Sequence, residues 1–241
     1  MPSNRLTWAA AAGALLGCAM HASGDLVLDE GWTPILHIDW LVSDLGSGTI
    51  EAVAEFQGDD TWFVTGHVKD VARVMAWSII IDTGHGLPMI NVQSLIAKNY
   101  SFDETTFSLA VDLQLAPEIE PTDRLAGELQ LILAGIDGTV STPKSAEYLW
   151  SLRADSTVQG GVFAPPWSMH VDSGGVSVFG GIDLELAQAP ETSFGFGWDL
   201  TLTSGEAASV HGAVMVPTPA VAGAFVLAGL WTPRRRRPEH R

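Results

Sequence analysis

The chain has a single cysteine, Cys18, in 241 residues. It falls within the N-terminal apolar stretch, so the rest of the chain has no disulfide, no cysteine-ligated zinc and no thiol nucleophile. Basic residues are also scarce, 12 against 28 acidic ones. Arg5 stands alone at the N-terminus, while Arg234, Arg235, Arg236, Arg237 and Arg241 crowd the C-terminus with Glu239. Between Ser23 and Val216 there remain 27 acids and six bases, a net charge of −21. So acidic a body repels nucleic acid, whose affinity rests on neutralised phosphates. It stays soluble by self-repulsion and attracts divalent cations or basic partners. The sequence also lacks phosphate-cradling glycine loops, Gly-x-Ser-x-Gly elbows and basic aromatic stripes.

The N-terminus reads as a secretory signal over residues 1–22, addressed to the Sec translocon. Arg5 supplies the positive start, and Leu6 to Met20 form an apolar, alanine-rich run too short to span a bilayer. Small residues follow, which suit cleavage after Ala22 or Gly24, with Ala22 the expected point. A second reading stays open: Leu15-Leu16-Gly17-Cys18 resembles a lipobox, in which Cys18 would be lipidated.

The C-terminus carries a different address over 217–241. Val216-Pro217-Thr218-Pro219 precedes an apolar run from Ala220 to Trp231, expected as a helix over 220–232, and then the cluster Arg234 to Arg237. Twelve apolar residues make a helix of roughly 18 Å, shorter than the ~30 Å hydrocarbon core of a bilayer. The four arginines act as a membrane stop and hold the end on the cytoplasmic side. This order of proline motif, short apolar helix and arginine cluster resembles the PEP-CTERM family of sorting tails. Thr218 stands where that family usually has Glu. The resemblance implies an exosortase-type processing enzyme cutting near Pro217 to Pro219. It also implies an inner-membrane-tethered precursor and delivery of the body to the cell surface or an extracellular matrix. A plain membrane anchor that nothing processes is the alternative.

The body, residues 23–216, alternates with period two. Phe107, Leu109, Val111, Leu113 and Leu115 face one way, as do Phe194, Phe196, Trp198, Leu200 and Leu202, and also Leu129, Leu131 and Leu133. Gly58-Asp59-Asp60, Asp137-Gly138 and Ser173-Gly174-Gly175 mark turns. The expectation is an all-β, antiparallel β-sandwich of jelly-roll type.

An internal duplication is also expected, with repeats over roughly 57–118 and 146–205. Trp77-Ser78 through Asp82-Thr83-Gly84 matches Trp167-Ser168 through Asp172-Ser173-Gly174, 90 residues later. Glu104 to Leu115 matches Glu191 to Leu202 at an offset of 87. Each copy is expected to end in a long hairpin, turning at Asp103 to Thr106 and at Pro190 to Ser193.

Few constellations point to chemistry. Asp82-Thr83-Gly84 and Asp172-Ser173-Gly174 resemble the paired triplets of aspartic proteases, where two carboxylates share one proton. His85 and Gly175 stand where that family has a small Ala or Ser, and only 44 residues separate Asp172 from Val216. The competing reading makes both of them turn residues. His37 and Asp39 share a strand face without a third ligand, and the histidines at 67, 85, 170 and 211 show no metal-ligand spacing. Asp59-Asp60 and Asp103-Glu104 offer oxygen ligands for a structural Ca²⁺ without a known loop pattern. Trp77, Trp167 and Trp198 sit in inward registers, suited to core packing.

The sequence thus predicts an exported, surface-sorted, non-enzymatic structural or adhesive protein with no obligatory cofactor. A carbohydrate- or calcium-binding module, with polysaccharide as the partner, is the first alternative, and an aspartic protease using Asp82 and Asp172 the second.

Overall fold

The computed structural model describes residues 32–83, 88–115 and 122–216. The signal with its cleavage point at Ala22, the lipobox-like Cys18, the sorting motif at Pro217 to Pro219 and the Arg234 to Arg237 cluster lie outside them. Among the described residues no helix is long and apolar enough to cross a membrane.

Among the described residues, period-two patterning gives fifteen strands, all antiparallel, in two sheets. The first sheet runs in the order β11 (Thr157–Val162), β10 (Trp150–Ala154), β14 (Ser193–Leu202), β7 (Thr105–Gln114), β1 (Ile35–Val42) and β2 (Gly46–Val53). Beside it β9 (Gly138–Ser141) joins β14 and β12 (Ser168–Val171). The second sheet runs β13 (Gly174–Glu185), β8 (Arg124–Gly135), β15 (Ala207–Met215), β6 (Met89–Asn99), β5 (Arg73–Asp82), β4 (Thr61–Lys69) and β3 (Glu55–Gly58).

The inner faces of both sheets contribute to one apolar core, a sandwich-like arrangement. Phe107, Val111, Phe194, Phe196, Trp198 and Leu200 fill it from the first sheet with no more than trace exposure. Met75, Ile79, Ile81, Leu131, Leu133 and Val210 fill it from the second. Trp150 stacks on Phe196 with centroids 4.6 Å apart. One interruption of the alternation is visible in the sequence of β6, where Ile90 and Val92 are inward and so are Leu95 and Ala97. A bulge at Gln93 absorbs the extra residue, and the pairings with β5 and β15 both shift there.

The expected hairpins after residues 103 and 190 are instead crossings between sheets, from β6 to β7 and from β13 to β14. Alternating strands on either side of a turn fit both geometries. Here each strand buries its apolar side in the shared core from opposite layers. The two Trp-Ser segments also take different places. Trp77 lies in β5, between β4 and β6, whereas Trp167 precedes the four-residue β12 in the other sheet. The later segments do correspond, because β6–β7–β8 and β13–β14–β15 both run second sheet, first sheet, second sheet. Their middle strands β7 and β14 pair with each other, Phe107 opposite Leu200 and Leu113 opposite Phe194.

Asn99 joins the β6–β7 crossing to the β14–β15 crossing, which also passes between the sheets. Fully buried, its Nδ2 donates to the carbonyls of Asp103 at 2.8 Å, Leu202 at 3.0 Å and Thr203 at 3.2 Å. Its Oδ1 accepts from the Ser101 amide and hydroxyl. One side chain thus satisfies backbone groups that both bends would otherwise leave unpaired.

Candidate functional sites

The two aspartates of the protease-like triplets are far apart. Asp82 ends β5, opposite Thr61 and Met89. Asp172 follows β12 at the other end of the sandwich. The ladder shows this: Val74 pairs Lys98, Lys98 pairs Ala207, Ala207 pairs Ala134, and Ala134 pairs Gly175. Asp82 lies eight residues along β5 from that row, about 26 Å at the rise of a strand. A shared proton requires oxygens in hydrogen-bond contact, so these carboxylates do not form such a dyad. At the second triplet the sequence is turn chemistry, since Gly174 takes a φ of 93° to begin β13, whereas Gly84 and His85 of the first lie outside the described residues.

Asp172 has other neighbours. The Nε2 of His170 lies 3.2 Å from a carboxylate oxygen of Asp172 and 3.4 Å from one of Asp137. One ligand-type atom from each residue falls within 4.8 Å of the others, and all three residues are exposed. The pairing of β9 with β12 sets His170 opposite Thr139. The Thr139 hydroxyl lies 3.1 Å from His170 Nδ1, which leaves Nε2 facing the two acids. Asp137 reaches them from the β8–β9 turn, where its φ of 63° turns the chain. This mixed nitrogen and oxygen set suits a divalent cation with open positions for water. Nothing in the sequence joins Asp137 to His170, 33 residues away, until the β9–β12 ladder is known.

The remaining acids singled out in the sequence do not join this group. Asp60 and Asp103 contribute backbone carbonyls, to Thr83 and Asn99. Asp39 accepts from the Thr49 hydroxyl at 2.6 Å, while His37 contacts Gln114. Trp77 and Trp198 are buried, and Trp167 is half-buried and stacks on Phe163 at 4.7 Å.

A second site lies on the outer face of the first sheet. A shallow hollow of about 240 Å³ is lined by Asp39, Trp40, Ser108, Ser151, Arg153 and Asp199 among others. Its floor is low because outward positions on β7 and β14 carry Ala110 and Gly197. Arg153 is gripped there by Asp112 in a two-pronged pair, Nε to Oδ1 and Nη2 to Oδ2, both at 3.1 Å. Its Nη2 also donates to the Ser156 carbonyl at 2.6 Å. Burial pushes the Asp199 carboxyl above the ordinary aspartate range, against the opposing pull of Ser108 and Arg153. The hollow therefore offers carboxylate acceptors, hydroxyls and a fixed guanidinium side by side. The sequence showed its parts only as the polar half of each alternating strand.

No protein-family model matches this chain, and neither does any curated protein.

Proposed function

We propose that this protein is exported, sorted to the cell surface and non-enzymatic, with a structural or adhesive role in an extracellular matrix. On this reading the outer face of the first sheet holds a polysaccharide. The observation that carries it is the Arg153–Asp112 fork beside Asp39 and Asp199 in an open hollow. Sugar hydroxyls both donate and accept, and such a surface supplies both partners along a face that an extended chain can cross. The finer architecture proposed is jelly-roll-like, with the final pair β14 and β15 seated inside both sheets. Delivery rests on the two terminal addresses, the Sec-type signal and the PEP-CTERM-like tail.

The body's net charge of −21 repels acidic polymers, so the proposed ligand is a neutral polysaccharide. Affinity electrophoresis of the full chain through gels containing neutral glucans or alginate tests this. Retardation by a neutral glucan, lost in Asp39→Ala and Val158→Glu, is the expected result. Equal mobility in every gel contradicts the reading.

A second reading, a cation-binding module, is favoured by the convergence of Asp137, His170 and Asp172. These residues would hold a divalent ion between the β8–β9 and β12–β13 turns and tie the two together.

A further inference from the structure

Sheet edges expose unpaired backbone groups, and four of the five edges among the described strands are blunted, β12 by its length of only four residues. β3 is four residues long, carries Glu55 and pairs through a bulge. β11 pairs β10 through a bulge. β2 carries Glu51 at its exposed face. The fifth edge, β13, is different. Its twelve residues pair β8 continuously from Gly174 to Glu185 with no register shift, and no described strand lies on its other side. From Gly174 to Ile182 it has neither a charge nor a proline. Phe179 stands 69 % exposed on its outer face. Its inner face is covered, with Gly180 against Val162 and Phe163 of the facing layer. What is left open is the hydrogen-bonding edge itself.

We propose that β13 is the interface for a second copy of this chain, joined by antiparallel β13–β13 pairing around a two-fold axis at Phe179. Charge selects this partner and this register. In a body of net charge −21, β13 is a long edge on which two copies can meet without setting acid against acid. Pairing centred on Phe179 places Asp183 opposite Gly175 and Glu185 opposite Ser173. Asp183 is in addition neutralised within its own copy by Arg124 at 2.5 Å. Val176 meets Ile182, and each Phe179 meets its mate, the aromatic and branched cross-strand pairs that stabilise antiparallel ladders. The contact is isologous, so it closes as a dimer with one continuous sheet of fourteen strands, twice the seven in one copy.

Long-range repulsion between two such acidic bodies opposes encounter, so pairing strengthens as salt screens it. Sedimentation velocity of the purified full chain across a salt series is expected to show a monomer–dimer equilibrium that shifts toward dimer as salt rises. Phe179→Lys, at an exposed position, is expected to return the chain to monomer at every salt concentration, with the melting temperature of the wild-type monomer at low salt. Register is read separately in a Cys18→Ser background. Under mild oxidation Phe179→Cys is expected to give a disulfide-linked dimer, while Ser177→Cys, which would face Gly181, and Phe56→Cys on the β3 edge are not. A wild-type chain that stays monomeric at all salt concentrations overturns the proposal. So does a dimer that survives Phe179→Lys, or one that crosslinks equally through all three cysteine positions.

Discussion

Arg153 and Asp112 face each other across β10, β14 and β7 with both prongs of the guanidinium engaged, each at 3.1 Å. The side chains are 15 % and 5 % exposed, so the pair is mostly withdrawn from water although it lies on the outer side of its sheet. Removing one partner leaves the other charge desolvated. Asp112→Ala is therefore expected to cost roughly 3 kcal/mol, more than the paired replacement Asp112→Leu with Arg153→Met. Urea melts of the singles and the double decide this. A double variant no more stable than the Asp112 single would show that leaving Arg153 unpaired carries no desolvation cost.

Asn99 supports both bends between the layers, so its loss should be felt in two places at once. Asn99→Ala leaves the Asp103, Leu202 and Thr203 carbonyls short of a donor, at about 1–3 kcal/mol for each group left buried and unsatisfied. The expected readout is a lower urea midpoint together with faster hydrogen exchange at residues 101–105 and 203–206. Exchange that quickens at one bend alone would separate the two crossings.

Two aspartates should give opposite pH signatures. Burial raises Asp155, but the Thr192 and Glu191 amides, the Thr192 hydroxyl and the Ser193 amide outweigh it and hold the carboxyl below the ordinary range. Its stabilisation is complete above the ordinary aspartate pKa and is lost as pH falls through the lowered value. Asp199 is raised by burial, so its cost is complete above the raised value and disappears as pH falls below the ordinary one. Asp155→Ala should thus cost about 1 kcal/mol at neutral pH and little in strong acid. Asp199→Asn should stabilise at neutral pH, with the gain vanishing in acid. Melting curves across pH 2–8 test both signs; an Asp199→Asn variant less stable at neutral pH would reverse the second.

A cation held by Asp137, His170 and Asp172 binds the folded chain alone and so stabilises it. Ligand at a hundredfold excess over its dissociation constant contributes about 2.7 kcal/mol. Zn²⁺ is expected to raise the melting temperature, EDTA to reverse it, and Asp172→Asn or His170→Ala to abolish the shift. A rise that persists in both variants would locate the ion elsewhere.

Much of the fold was legible because the physics was local. The alternation of β7, β8 and β14 fixed which faces are buried, and Asp59, Asp137 and Gly174 marked real turns with positive φ. Hairpin against sheet-crossing was not legible, since Asp103 to Thr106 suits either and only the shared core decides. Nor was the triad. Asp172 drew attention for its triplet, but its neighbours come from the β8–β9 turn and β12, and partners separated by tens of residues leave no periodic trace. Sequence similarity between the Trp77 and Trp167 segments did not extend to their places in the sheets, because β12 ends after four residues at an edge.

Intact mass of the chain recovered from the cell surface tests the central claim most directly. Signal removal after Ala22 and tail processing near Pro217 to Pro219 predict a mature chain lacking both Arg5 and the Arg234 to Arg237 cluster. That species should be found in the surface or matrix fraction. On the proposed sorting, replacing all four arginines with Ser should deplete the inner-membrane precursor, since Arg near a bilayer centre costs about 2.5–3.5 kcal/mol and would stop the tail from crossing. A chain found in the cytosol, retaining both Arg5 and Arg241, contradicts export and sorting together.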